Sequence, residues 1–307
     1  MKKIAFVFPG QGAQYTGMGK DFYEQISVCK EVFEKASEVT GIDIPFLCFE
    51  ENSDLNVTEY TQIAMLAVEA AILKAVEERG IASEINAGLS LGEYGALIAS
   101  RVLSLEDAFK VIRQRGKFMQ EAVPTGGAMA AIIGMEGEKI AQICDETEGI
   151  VSVANYNCPG QIVITGEAAA VAKAGETLKN SGARRVLLLN VSGPFHSAML
   201  KDAGRKLADA LKNVEIHPIE TPYISNVTAE YVTETEQVAD LLTSQISAPV
   251  KWQQSVEKMI ENGINIFIEI GPGKTLTGFL KKINRSIQSF NIEKVEDLDT
   301  VAAALKE

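Results

Sequence analysis

Histidine is the scarcest chemically versatile residue in this sequence, with two copies, His196 and His217, among 307 positions. Two histidines cannot build a three-histidine zinc site, and no H-E-x-x-H run is present, so no metal site is expected. Cysteine is nearly as sparse. Cys29, Cys48, Cys144 and Cys158 are scattered, without a C-x-x-C pair, and read as reduced thiols of a cytoplasmic protein. Positive charge is in short supply too. Twenty-nine Lys and Arg against 41 Asp and Glu leave a net charge of −12, which disfavours nucleic acid as the main partner while allowing local basic patches. Long apolar runs are missing. The apolar part of "MKKIAFVFPGQG" is far too short for a signal peptide. "IAMLAVEAAILKAVEE" carries Glu69 and Lys74, and so reads as a buried helix rather than a membrane span. No membrane segment is expected.

What is present is a 46% hydrophobic chain, ample for a large core, in which strands and helices alternate. "KKIAFVFP" reads as a buried strand entering the glycine-rich loop "GQGAQYTGMG". Helical patterns run from about Lys20 to Val39 and from Thr61 to Arg79. A short strand, Ile85–Gly88, precedes another helical run, Glu93 to Ser100. "SLEDAFKVIRQRGKFMQEAV" is a further helix, opened by Ser104 and Asp107 in a capping arrangement and stopped by "PTGG". Residues 128–191 then follow a different order, β-α-β-β-α-β, the ferredoxin-like arrangement. After "SGPFHS" the alternation resumes with "TPYISNV" and with "INIFIEIGPGK" feeding a helix. The expectation is an α/β fold with a mostly parallel sheet covered on both faces, built from residues 1–124 and 195–307. A small ferredoxin-like subdomain over 125–194 interrupts it.

Gly88-Leu89-Ser90-Leu91-Gly92 fits Gly-x-Ser-x-Gly in a strand–turn–helix context, the setting that presents a serine hydroxyl on a tight turn. Ser90 is the candidate nucleophile, against the alternative of an ordinary turn of small residues. Of the two histidines, His196 in "SGPFHSAML" follows a strand, opens a helical run and reads as half exposed; it is the better base. His217 sits in the polar "NVEIHPIE". Two phosphate motifs fail. G-x-G-x-x-G from Gly10 would need glycine at Tyr15, and a Walker A loop ending "GPGKT" would need glycine at Ile268. The first loop therefore serves either as a tight turn or as a source of N–H donors for an oxyanion. Arg115 lies on the apolar stripe of its helix, between Ile112 and Met119. A buried arginine must find an anion, either an internal carboxylate or a substrate's.

Taken together, "FPGQGAQYTGMG", "GLSLGEYGALIAS", "RGKFMQEAVPTGGAMAAI", "NYNCPGQIVITG", "SGPFHSAML", "ISNVTAE" and "EIGPGKTLTGFL", in this order over nearly the whole chain, resemble the malonyl-CoA:acyl-carrier-protein transacylases, the acyltransferases of fatty acid synthesis. The resemblance implies an α/β-hydrolase-like core with a ferredoxin-like insert. It implies Ser90 as nucleophile, His196 as its base, the N–H groups of Gln11 and Leu91 as oxyanion hole, and Gln245 as support for His196 through its main-chain carbonyl. It implies Arg115 as the ligand of the malonyl carboxylate, with Asn157 near the thioester entrance and Phe195 in the malonyl-selecting form. Malonyl-CoA and holo acyl carrier protein are the implied partners, with no metal or redox cofactor. Family members commonly have histidine where this chain has Leu89, whose side chain is expected to point away from the acyl site. Acyl carrier proteins are acidic, so docking on an acidic enzyme calls for a basic patch. Lys281, Lys282 and Arg285 in "KKINR" are one candidate, and Arg184 with Arg185 another, against the alternative of solvated surface charge. A serine thioesterase or other acyl hydrolase is the rival activity, and a non-catalytic binding module the rival class.

Overall fold

The computed structural model describes residues 2–306. Its ten strands are β1 (Ile4–Phe8), β2 (Ile85–Gly88), β3 (Gly127–Ile133), β4 (Val151–Cys158), β5 (Gln161–Glu167), β6 (Arg185–Leu188), β7 (Tyr223–Ile224), β8 (Tyr231–Val232), β9 (Ile266–Ile270) and β10 (Gln288–Ile292). They form two sheets. The larger has the order β10-β9-β1-β2-β7-β8 and is parallel throughout except for the β7–β8 hairpin. Its central strands are short runs of apolar residues because helices cover both faces; every residue of β9, and all of β1 beyond Ile4, is buried.

The smaller sheet, β4-β5-β3-β6, is antiparallel. With the helices Gly137–Asp145 and Ala168–Asn180 it has the expected ferredoxin-like order. Those helices cover one face and enclose a separate small core around Ile132, Ile140 and Ile164. The other face looks toward the larger sheet. There β4 is stitched to the segment after Gln245, where Tyr156 N–H donates to the Val250 carbonyl at 2.9 Å and Val250 N–H donates to that of Ala154 at 2.8 Å.

The helix Thr58–Glu78 is buried along most of its length and packs against Leu105–Ala122 in the main core. The latter opens as the sequence suggests, Ser104 Oγ accepting from Asp107 N–H at 3.1 Å. Two elements depart from expectation. The helix expected over Lys20–Val39 is two helices, Lys20–Gln25 and Ser27–Thr40, because β-branched Ile26 takes an extended backbone and packs its side chain on the core. The edge strand β10 carries no apolar run, since its half-exposed residues alternate weakly. Among the described residues, no helix is long and apolar enough to cross a membrane.

Phe8 and Gly88 are paired in register, so β1 and β2 end side by side and release their loops, Pro9–Gly12 and Leu89–Leu91, at the same carboxyl edge. The loop after β9, at Gly271–Thr275, leaves from that edge too. In an open parallel sheet this edge is where a crevice forms.

Candidate active site

The elbow is built by backbone crowding. A side chain at Gly88 would come within 1.9 Å of the Gly92 carbonyl, and one at Gly92 within 2.2 Å of the Phe8 carbonyl oxygen. Only glycine fits either place, and the tight turn between them drives Ser90 to φ 57°. That left-handed conformation costs a non-glycine residue about 1–3 kcal/mol and persists only where the surroundings hold it.

Ser90 Oγ lies 2.8 Å from His196 Nε2, and His196 Nδ1 lies 2.8 Å from the Gln245 carbonyl oxygen. A carbonyl only accepts, so Nδ1 carries the proton and Nε2 presents its lone pair to the serine hydroxyl. His196 is buried, not half exposed, because Phe195 and the 3₁₀ turn Ala198–Leu200 pack it into the core. Burial, reinforced by the Arg115 charge, pushes its pKa down to about 4. The ring is thus neutral at physiological pH, the state a base requires. His217 is remote from this site, its Nδ1 3.7 Å from Glu215 Oε1.

Arg115 reaches the same hydroxyl. Its Nη2 is 3.1 Å from Ser90 Oγ and 2.9 Å from Gln245 Oε1, and its Nη1 is 2.6 Å from Gln62 Oε1. The guanidinium lies over the Tyr94 ring at 5.6 Å, and its Nε has no hydrogen-bond partner. Among the described residues it makes no direct ion pair. Neutral amides satisfy it in part, and burial lowers its pKa. A charge buried among neutral acceptors beside an open pocket has capacity left for an incoming carboxylate.

Ser90, Arg115, His196, Gln11, Leu91 and Asn157 all line one open pocket of about 870 Å³ between the two sheets. The backbone N–H groups of Gln11 and Leu91 have no protein acceptor among the described residues. Such free donors beside the Ser90 hydroxyl could receive an oxyanion. The Gln11 side chain is tied back, its Nε2 donating to Thr58 Oγ1 at 3.1 Å. Phe195 lines the pocket and is buried. Leu89 does not point away: it lines the pocket, and its Cδ2 lies where a side chain on Gly10 would have to go. An apolar side chain gains by covering that bare backbone and joining the cluster around Phe279.

One of the two basic candidates is tied to the pocket wall. Lys282 Nζ donates to Gln161 Oε1 at 3.0 Å, and Gln161 lines the pocket together with Phe279 of the Lys282 helix. Gln161 is paired across the small sheet with Ile133, and Ile133 with Arg185. The clusters at Lys281–Arg285 and Arg184–Arg185 therefore lie at two ends of one cross-strand row.

Sequence reasoning missed Gln62, Glu93, Asn155 and Asn226. Gln62 interrupts an apolar helix and could have been noticed as the polar complement of Arg115. Asn155 lines the pocket two residues before Asn157 on β4, a strand bent by register shifts on either side of this stretch. Glu93 and Asn226 lie beneath the elbow, and nothing in a single sequence links them.

A model of the acyl transferase domain family matches residues 5–303. The malonyl CoA-acyl carrier protein transacylase of Bacillus subtilis (strain 168) is 45% identical, over 100% of this chain and 98% of that protein. The crystal structure of the malonyl CoA-acyl carrier protein transacylase from Clostridium perfringens superposes with a TM-score of 0.96 at 46% identity, covering 99% of this chain and 97% of that one. A structure of a type II PKS acyl-carrier protein in complex with its malonyl-transacylase matches with a TM-score of 0.96 at 40% identity, over 99% of this chain and 100% of that one. With a family model over residues 5–303 and likeness of this extent over nearly the full length of both chains, the chain belongs to the acyl transferase domain family and, within it, to the malonyl CoA-acyl carrier protein transacylases.

Proposed function

We propose that the protein transfers the malonyl group from malonyl-CoA to the pantetheine thiol of holo acyl carrier protein, through a malonyl ester on Ser90, and so supplies fatty acid elongation in the cytoplasm. The observation that carries this reading is the double contact of one hydroxyl, Ser90 Oγ, with the His196 imidazole and the Arg115 guanidinium. The first contact prepares a nucleophile, and the second puts a cation where the far end of a malonyl group would lie.

Ser90 Oγ attacks the thioester carbonyl while His196 Nε2 takes its proton. The oxyanion forms against the N–H groups of Gln11 and Leu91, donors of a kind worth about 10²–10³ each in rate. The Gln245 carbonyl stabilises the imidazolium by accepting from Nδ1. Collapse expels coenzyme A thiolate, which takes the proton back from His196. The carrier's thiol then gives its proton to His196, attacks the malonyl ester and regenerates Ser90. Asn157 and Phe195 border the path of the acyl group, and Arg115 holds its carboxylate throughout.

Incubation with malonyl-CoA, with and without holo carrier, tests the whole reading. The expected result is a malonyl adduct on the Ser90 peptide that only the carrier or coenzyme A discharges, absent from Ser90→Ala. Steady release of free malonate with no carrier transfer would identify a hydrolase. No adduct at all would identify a binding module.

A further inference from the structure

Something must hold Ser90 in its left-handed conformation, and the groups that do so come from far along the chain. Asn226, in the loop after β7, sits directly behind the elbow. Its Oδ1 accepts from Ser90 N–H at 2.7 Å, and its Nδ2 donates to the Gly88 carbonyl at 2.6 Å. One side-chain amide thus grips the backbone on both sides of Leu89, up to the amide of Ser90. Asn226 is itself fixed. It is only 1% exposed; its own N–H donates to Glu93 Oε2 at 3.2 Å, and its carbonyl accepts from Lys251 N–H at 2.9 Å. Gln245 adds a third peg, its Nε2 donating to the Ser90 carbonyl at 3.0 Å and to Glu93 Oε2 at 2.6 Å.

The chemistry of the site selects this side chain. Ser90 N–H can only donate and the Gly88 carbonyl can only accept, so the clamp needs one acceptor and one donor about an amide's width apart. Aspartate has the same shape but, when ionised, offers an oxygen to the Gly88 carbonyl. Leucine offers neither group. Asn226 does not line the pocket, so it has no part in holding the acyl group or the thioester.

We propose that Asn226 is a positioning residue for acyl transfer, its amide holding the Ser90 backbone so that Oγ stays within reach of His196 Nε2. This rests on the reading of Ser90 as nucleophile. Without the clamp the turn relaxes away from φ 57°, and Oγ moves relative to both the imidazole and the oxyanion donors. A displacement on the order of 1 Å at a reacting group costs about 10²-fold in rate. Binding of the thioester changes little, because Asn226 lies outside the pocket and Arg115 keeps its contacts with Gln62 and Gln245.

The test is rapid-quench acylation by malonyl-CoA and by acetyl-CoA over a range of concentrations, for wild type, Asn226→Ala and Asn226→Asp, with melting curves for each. The expected result is a fall of about 10- to 100-fold in the maximal acylation rate, a half-saturating concentration within twofold of wild type, and an unchanged ratio of malonyl to acetyl rates. Asn226→Asp keeps the shape of the side chain and the acceptor for Ser90 N–H, so it reads the clamp even if the alanine variant fails to fold. A folded variant that acylates at the wild-type maximal rate overturns the proposal. So does a loss confined to the half-saturating concentration. Failure of the wild-type enzyme to acylate would instead overturn the reading of Ser90, which separates the two.

Discussion

Arg115 Nη2 lies 3.1 Å from Ser90 Oγ, and among the described residues no carboxylate forms an ion pair with that guanidinium. Glu93 is linked to it by the Gln245 amide, which accepts from Arg115 at 2.9 Å and donates to Glu93 Oε2 at 2.6 Å. The arrangement keeps the cation buried without neutralising it.

Replacing Arg115 with alanine is therefore expected to act on one substrate and spare another. Removing one member of a buried ion pair costs about 3–5 kcal/mol, and each 1.4 kcal/mol is about tenfold. Transfer from malonyl-CoA should fall by roughly two to three orders of magnitude. Transfer from acetyl-CoA, with no carboxylate to orphan, should hold or improve. Measuring kcat/KM for both thioesters beside a melting curve decides the point; a parallel loss of both activities would sink the clamp.

How much of this could be read from residue order differs from group to group. Ser90 announces itself by the glycines at 88 and 92, because local crowding dictates that spacing. Arg115 stands out because a charge on an apolar helical stripe is a local anomaly. Asn226 and Glu93 send no such signal. Each stands among other small and polar residues of its segment, and its meaning comes from a partner more than 130 positions away. The supports of a strained turn are tertiary, so periodicity cannot reveal them. The same cause hid β10, an edge strand whose pattern its neighbour β9 determines.

The scarcity of histidine makes the protonation state of His196 directly measurable. In a His217→Gln variant one imidazole remains, and its NMR signal should titrate near pH 4, well below the ordinary value of 6.5. Between those values the unfolded chain binds a proton that the folded chain refuses. This residue's contribution to stability is thus full above about pH 6.5 and is lost as pH falls toward 4. A midpoint at the ordinary value would show that water reaches the ring.

Glu93 should act with the opposite sign. Burial, only partly offset by the hydrogen bonds from Gln245 and Asn226, pushes its pKa up to about 7 from an ordinary 4.5. In that window the folded chain holds a proton that the unfolded chain has released. Its contribution to stability is present below about 4.5 and is lost as pH rises through 7. Glu93→Gln removes this dependence, so the variant's Tm relative to wild type should climb between about pH 5 and pH 8. A difference that stays flat across this range would mean that Glu93 is ionised throughout.

In the proposed transfer the carrier reaches Ser90 past a basic cluster on an otherwise acidic protein. Lys282 is tied to Gln161 at the pocket wall, and the cross-strand row from Gln161 through Ile133 ends at Arg185. An acidic partner laid over the opening would meet positive charge at both ends of that row. Exposed charge pairs contribute about 0.2–1 kcal/mol each. Reversing Lys281 and Lys282 to glutamate turns two attractions into repulsions, so the KM for holo carrier should rise roughly tenfold. The KM for malonyl-CoA should change less, because Arg115, the proposed partner of its carboxylate, lies inside the pocket. Screening gives an independent check, since added salt should weaken the wild-type enzyme's use of carrier and narrow its gap from the variant. Arg185→Ala then asks whether the far end of the row takes part. Carrier kinetics unchanged by the double reversal would leave these lysines as ordinary solvated surface charge.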